Sequence, residues 1–410
     1  MKRPNKDTAM EPNTLPLRDI TVIDAATMLA APWSAAFLAD YGANVIKVEH
    51  PEKGDTGRAY GKQKNGVGLL WKSMARNKRC ITLNLGKPEG QEIFKKLAAK
   101  ADVVIENYRP GTLEKWNIGY EQLAAVNPSL VMLRTTGFGQ TGPYASRGGF
   151  GTVAEAMSGF ASINGAKGGP PTLPGLALAD GVCGIFGALS VMIALHERNN
   201  NPERRGQSID ISLYEPLMRL VEPHILSFDQ LGLIAERVGN ASVSVAPRNA
   251  YVTKDGTWVA LSGAAQPIAA NVFKAVGRPE LIEDERFCNN AARMKNVEEL
   301  DAIIGGWIRE RDWQEVQRVF SECGAVIGPM YTMDQLFEDN HYKIRESFVS
   351  VEDEELGSVR MPNVVAKFSR TPGKVMTAGA PKGKHNEEVY SGMLGIPPAE
   401  LARLHDKGVV

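Results

Sequence analysis

Apolar positions along this chain change period repeatedly, and each change marks a predicted element. The run Ile20 to Ile23 reads as a short strand ending at Asp24, and Ala25 to Asp40 as a loop leading into an alanine-rich helix with Pro32 near its start. Val45 to Val48 makes a second strand after a turn at Gly42. Strand, helix and strand within about thirty residues have the size of a parallel crossover, so an α/β sheet begins here. The pattern repeats, with strands at Ile81 to Leu85, Val103 to Glu106 and Leu130 to Thr135 and an amphipathic helix at Glu89 to Ala99. In doubly wound sheets ligands sit beyond the carboxyl ends of the strands, which directs attention to the loops His50 to Arg58, Asn107 to Leu113 and Gly137 to Pro143.

A later run is organised differently. A glycine- and proline-rich approach reaches Asp180, and fifteen residues without a charge follow, Gly181 to Leu195. Val182, Ile185, Phe186, Leu189, Met192 and Ile193 fall on one helical face, which predicts a buried helix with Asp180 at its N-cap. Gly181, Gly184 and Gly187 recur inside it, although each helical glycine costs ~1 kcal/mol relative to alanine. Either a neighbouring helix or a bulky ligand comes close to that face, and spacing alone leaves both open.

Farther on, Ser208 to Leu213 alternates as a strand into a helix around Tyr214 to Phe228, and the polar stretch Glu236 to Asn249 reads as a linker. Lys254-Asp255-Gly256 turns a hairpin between Tyr251-Val252 and Thr257 to Leu261, with helices after it at Gln266 to Val276 and Val297 to Ile308. From Asp334 onward come a helix, a hairpin with Gly357 at its tip and two short terminal helices. At 410 residues the chain exceeds a usual single core. The expected division is a large α/β domain over 1–225, a linker over 226–250, a smaller α+β domain over 251–330, and a linker and C-terminal segment over 331–410 that returns to the large domain.

Composition narrows the function by exclusion. With 47 basic and 47 acidic residues the formal net charge is zero, and no nucleic-acid footprint or anionic-membrane surface is expected. Cys80, Cys183, Cys288 and Cys323 form no C-x-x-C pair and read as free thiols in a reducing compartment. Lys2, Arg3 and Lys6 are interrupted and followed by Pro4, Asp7, Glu11 and Pro12 where a signal peptide needs an apolar core, so residues 2–12 read as a frayed, cytoplasmic leader. The uncharged run after Asp180 falls short of the ~20 residues of a membrane span, and a soluble protein is expected. The six histidines, at 50, 196, 224, 341, 385 and 405, lack metal spacing, so no metal is expected. No G-x-S-x-G elbow and no G-x-G-x-x-G after the first strand is present either.

Three features keep chemical interest. The strand end with Lys47, Glu49 and Asp55 is equally compatible with a nucleotide contact and with plain solvated charges. Glu106-Asn107-Tyr108-Arg109-Pro110-Gly111 offers an amide, an aromatic ring and a guanidinium that together can stack on a base and grip a phosphate. Arg58, Arg134 and Arg248 are candidates to hold a dicarboxylate.

Taken in order, the motifs resemble the family III CoA-transferases, the group that includes formyl-CoA transferase and carnitine CoA-transferase. The matching stretches are residues 38–49 (Leu38-Ala39-Asp40-Tyr41-Gly42-Ala43 onward), Asn77-Lys78-Arg79, residues 101–111, Gly137-Phe138-Gly139-Gln140-Thr141-Gly142-Pro143, Asp180 with its glycines, and Arg205-Gly206-Gln207-Ser208-Ile209-Asp210. The resemblance implies a Rossmann-like CoA-binding domain, a smaller second domain and an interlocked homodimer. It implies an acyl-CoA and a carboxylic acid as substrates, no permanently bound cofactor, and Asp180 as the catalytic carboxylate, passing through aspartyl anhydride and aspartyl-CoA thioester intermediates. By position it assigns CoA contacts to Ala30, Leu83, Asn107, Tyr108, Arg109 and Lys115. The glycines after Asp180 would leave room for the acyl group, and first-turn N–H groups would stabilise its oxyanions. A glycine-rich lid known in formyl-CoA transferase corresponds to Ser262-Gly263-Ala264-Ala265-Gln266, which departs from it. Two alternatives stand beside this reading. The α-methylacyl-CoA racemase branch carries Gly-His-Asp where this chain has Gly149-Phe150-Gly151, and a non-catalytic subunit of a hetero-oligomer should lack the aspartate.

Overall fold

A computed structural model describes residues 15–410; the leader read at residues 2–12 lies outside them. Six strands form one parallel sheet: β1 (Thr21–Asp24), β2 (Asn44–Glu49), β3 (Lys78–Thr82), β4 (Val103–Glu106), β5 (Val131–Thr136) and β6 (Ser208–Ser212), in the order β3-β2-β1-β4-β5-β6. That order reverses direction between β1 and β4, the switch point at which doubly wound sheets bind ligands. Because side chains alternate along a strand, Val22, Val45, Val103 and Val131 face one core while Ile23, Ile46, Val104 and Met132 face another. Both faces are buried, which is why these strands read as continuous apolar runs.

The expected β3 is displaced, starting at Lys78 rather than Ile81. Its first residue is charged, and the buried Lys78 ammonium meets Asp24 at 2.9 Å, so a tertiary ion pair hides the strand's start from a hydrophobicity reading. The single helix expected over Tyr214 to Phe228 is two, Glu215–Leu220 and Glu222–Leu231, separated at Val221. Pro223 lacks the N–H a continuous helix needs there.

Helices α1 (Ala30–Asp40), α2 (Pro88–Ala98), α3 (Gly151–Met157) and α4 (Leu178–Asn200) flank the sheet residues named above or the loops beyond them. Helix α4 corrects two expectations. Its N-cap is Ala177, so Asp180 is the third helical residue and not the cap. The face expected to be buried is exposed in the chain, with Ile185 57% and Ile193 60% accessible, whereas Cys183, Gly184, Gly187, Val191 and Leu195 are buried. Small residues decide this orientation. A Cβ on Gly184 would lie 2.9 Å from Trp33 Cβ, and one on Gly187 would lie 2.3 Å from Ser34 Oγ, so α1 packs where those side chains are missing. Ser34 then donates to the Gly184 carbonyl at 3.0 Å. At 23 residues α4 is long and apolar enough to cross a membrane, and its small-residue side packs on α1 and the sheet.

Contacts group the chain into two compact units. The first runs to Phe160 and includes Pro174–Leu226 and Lys343–Val410. Its C-terminal segment enters the sheet core through Tyr390, Leu404, Val409 and Val410. The second comprises Ala161–Leu173 and Ser227–Tyr342. It has its own antiparallel sheet, Ile327–Pro329, Trp258–Ser262 and Arg248–Val252, and a core built on Val259, Phe273, Phe287, Leu300 and Phe320. The stretch Ser262 to Gln266 is the connection from strand Trp258–Ser262 to helix Gln266–Ala275.

Candidate active site

The charges at the ends of β1 and β2 are neither solvated nor free for a nucleotide. Lys47 is buried, 2.8 Å from Asp55 and 3.6 Å from Asp24, and donates to the Ala26 carbonyl. Burial opposes its charge, but Asp24 and Asp55 outweigh that and hold the Lys47 pKa above its ordinary value. Asp55 in turn accepts the Met28 N–H at 3.1 Å and the Gly57 N–H at 2.7 Å. The buried charges therefore fix the loop Ala25 to Leu29, whose Met28 adopts a left-handed φ of 67°.

A second clamp comes from β4. Asn107 accepts the Thr27 N–H at 2.9 Å and donates to the Thr27 carbonyl at 2.7 Å, so its amide is committed to the backbone. Glu106 accepts the Tyr108 N–H at 2.7 Å and the Arg134 Nε–H at 2.8 Å. Burial pushes the Tyr108 hydroxyl up to about 12, and its ring packs edge-on against Trp116 at 5.2 Å.

These clamps shape a cavity of about 210 Å³ walled by Thr27 to Ala30, Asn107 to Pro110, Thr135 to Gly137, residues 145 and 147–150, Asp180 and Leu213. A neighbouring cavity of about 330 Å³ shares Thr27 and Tyr108 with it and adds His50, Leu83 and Trp116. The structure thus brings Asp180, Ala30, Asn107, Tyr108 and Arg109 to one cavity and places Leu83 in the adjoining one. Lys115 lines neither and is exposed on the short helix Thr112–Lys115.

Asp180 is seated by a glycine and shadowed by a carboxylate. A Cβ built on Gly151 would fall 1.9 Å from Asp180 Oδ2, so no larger residue at 151 tolerates this rotamer. Four residues along α3, Glu155 is 3% exposed and accepts the Leu178 N–H at 3.0 Å and the Ala179 N–H at 3.3 Å. Glu155, not Asp180, caps α4. Burial, and then the charge of Glu155, raise the Asp180 carboxyl to about 6. The first-turn N–H groups expected to stabilise oxyanions are spent, two on Glu155, one on Asp180's own carboxylate, and that of Gly181 on the Ala177 carbonyl. Room for an acyl group also differs from expectation. Gly184 is filled by Trp33 and Ala30, while Gly181 has only Trp33 Cζ3 at 3.9 Å.

None of the three arginines nominated for a dicarboxylate is free at the cavity. Arg58 is forked onto Glu49 at 2.6 and 2.7 Å, and Arg134 onto Glu106 and Glu114. Arg248 belongs to the second unit and donates to the Ala241 carbonyl. Glu155 is absent from the sequence reading, and Gly151 enters it only where a racemase would carry its aspartate; an acidic residue inside the apolar segment Val153 to Met157 was the available signal. Among the described residues no cluster of three or more His, Cys, Asp or Glu could hold a metal ion.

Comparison with known proteins places this geometry among others like it. A model of CoA-transferase family III matches residues 17–386. A CoA-transferase of Chloroflexus aurantiacus named for succinyl-CoA and D-citramalate is 41% identical over 396 residues, 96% of this chain and 98% of that one. The beta subunit of a succinyl-CoA and L-malate CoA-transferase from the same organism is 40% identical, covering 97% and 98%. The succinyl-CoA:glutarate CoA-transferase of Homo sapiens is 32% identical, covering 97% and 90%. A crystal structure of a CAIB/BAIF family protein from Brucella suis superposes with a TM-score of 0.81 at 30% identity, covering 93% of this chain and all of that one.

Proposed function

The chain belongs to CoA-transferase family III, and from that premise we propose that it carries CoA from a dicarboxylic acyl-CoA such as succinyl-CoA to a second carboxylic acid on Asp180. The enzyme is a CoA-transferase, and we assign the covalent step to Asp180. One observation carries it, the meeting of Asp180 with Ala30, Asn107, Tyr108 and Arg109 around one cavity.

The chemistry suits a carboxylate whose pKa is about 6. It remains mostly ionised at neutral pH, yet burial makes it a stronger nucleophile than a solvated aspartate. Its oxygen attacks the thioester carbonyl, the C–S bond breaks, and CoA leaves as a thiolate, giving an aspartyl anhydride. The thiolate attacks the aspartyl carbonyl, releasing the donor acid and forming an aspartyl-CoA thioester. The acceptor carboxylate then makes a second anhydride, and thiolate attack on the acceptor's carbonyl restores Asp180. Every nucleophile and leaving group is an anion, so no step needs a general base.

The racemase alternative loses its partners, because Phe150 is not a base and an aspartate at 151 would collide with Asp180. The assembly we propose is an interlocked homodimer. Relatives named as alpha and beta subunits supply the heteromeric alternative, which the mass and activity of the purified single chain distinguish. The test of the chemistry is to incubate the enzyme with succinyl-CoA, quench with hydroxylamine and map the hydroxamate by mass spectrometry. It should form at Asp180 and be absent in Asp180→Ala. A hydroxamate elsewhere, or undiminished transfer by Asp180→Ala, overturns the reading.

A further inference from the structure

A dicarboxylic acyl group brings a second negative charge into a cavity that already holds Asp180. That distant carboxylate needs a cation and hydrogen-bond donors of its own. The charged residues around the cavity are Arg109, Arg147 and Asp180, and among the described residues no carboxylate forms an ion pair with either arginine. Arg147 is the one on the loop that seats the nucleophile. Only Gly148, Gly149 and Phe150 separate it from Gly151, so its position relative to Asp180 is set by that loop. Its guanidinium lies on the Tyr144 ring at 3.8 Å, and its backbone N–H donates to the Tyr144 carbonyl at 2.8 Å. Stacking occupies the face of a guanidinium and leaves its edge donors for a carboxylate fork.

A second observation points the same way. The Thr135 and Thr136 hydroxyls, on residues 2% and 8% exposed, are buried without a hydrogen-bond partner, and both residues line this cavity. Unsatisfied buried hydroxyls at a cavity wall are costly unless a ligand oxygen completes them. We propose that Arg147, together with the Thr136 hydroxyl, binds the distal carboxylate of dicarboxylic acyl groups and acceptor acids, and so sets the preference for them. The proposal rests on the transferase reading above. Arg109, next in the chain to Tyr108, which lines both cavities, stays with CoA.

The experiment measures label exchange from ¹³C-succinate into succinyl-CoA, and in parallel from labelled propionate into propionyl-CoA, with calorimetric binding of free CoA. Arg147→Met should raise KM for succinate about 10- to 100-fold, with Arg147→Lys in between, as loss of a charge-assisted fork implies. Affinity for free CoA and KM for propionate, where exchange is measurable, should change by less than about threefold, since neither uses the fork. Thr136→Val keeps the shape and removes the hydroxyl; it should raise KM for succinate several-fold while leaving the melting temperature the same or higher. CoA affinity falling in step with succinate affinity, or an unchanged succinate KM in Arg147→Met or in Thr136→Val, overturns the assignment. Failure of the transferase reading looks different: the wild-type enzyme itself exchanges no label.

Discussion

Replacing Asp180 with asparagine should abolish transfer and yet stabilise the protein at neutral and mildly alkaline pH. Burial and the neighbouring Glu155 raise its carboxyl from 3.8 to about 6. The folded protein therefore binds this proton more tightly than the unfolded chain does, and above pH 6 it holds a charge that the unfolded chain carries at no such cost. A displacement of roughly two pH units, at about 1.4 kcal/mol each, sets a ceiling near ~3 kcal/mol. Water reaching the cavity screens part of it, leaving about 1–3 kcal/mol. The sign follows: the destabilisation is fully present above about pH 6, shrinks as pH falls toward 3.8, and is absent below that. Asparagine matches aspartate in volume and stays neutral throughout, so the comparison isolates the charge. Calorimetric melting of both proteins from pH 4 to 8 should show the variant about 1–3 °C more stable at pH 8, with the gap closing by pH 4. An asparagine variant that melts lower at pH 8, or a gap that ignores pH, would refute the argument.

Further outcomes follow from the same geometry. Transfer rates should fall as pH drops through about 6, and Glu155→Gln, which retains an oxygen for the Leu178 and Ala179 N–H groups, should move that midpoint lower; a burst-phase pH profile reads both. Gly151→Ala should displace the Asp180 carboxylate and cut kcat by about 100-fold or more, as a misplacement near 1 Å does, with CoA binding kept. Gly187→Ala should destabilise by about 1–3 kcal/mol because its Cβ meets Ser34. Gly181→Ala, which meets nothing closer than 3.9 Å, should stabilise by about 0.5–1 kcal/mol through helix propensity; chemical denaturation compares the two. Asn107→Ala should cost about 1–3 kcal/mol and raise KM for acyl-CoA by freeing the Thr27 loop, a change seen by denaturation and steady-state kinetics together.

Much of this molecule was readable before any coordinates. The inner parallel strands announce themselves because both sheet faces are buried there and most of their positions are apolar. The order of the loop motifs, with Asp180 among them, was enough to identify the family, since these segments are short, local and contiguous in the chain. What needed tertiary structure was the choice among local possibilities that sequence leaves equal. Lys47 and Asp55 are equally nucleotide contacts or solvated charges in the sequence, until the fold buries them against each other and the Met28 loop. The helix after Asp180 shows one face of large apolar residues that sequence would bury, until α1 fills the side lined by Gly184 and Gly187 and turns that face outward. Glu155 lies twenty-five residues before Asp180 in the chain, yet it caps Asp180's helix and raises its pKa. Sequence determined which elements form and which carboxylate to watch, because backbone periodicity and motif order are local properties. Only the folded chain decided the seat, the cap and the charge of that carboxylate, because burial and Coulomb interaction depend on distance in space and not along the chain.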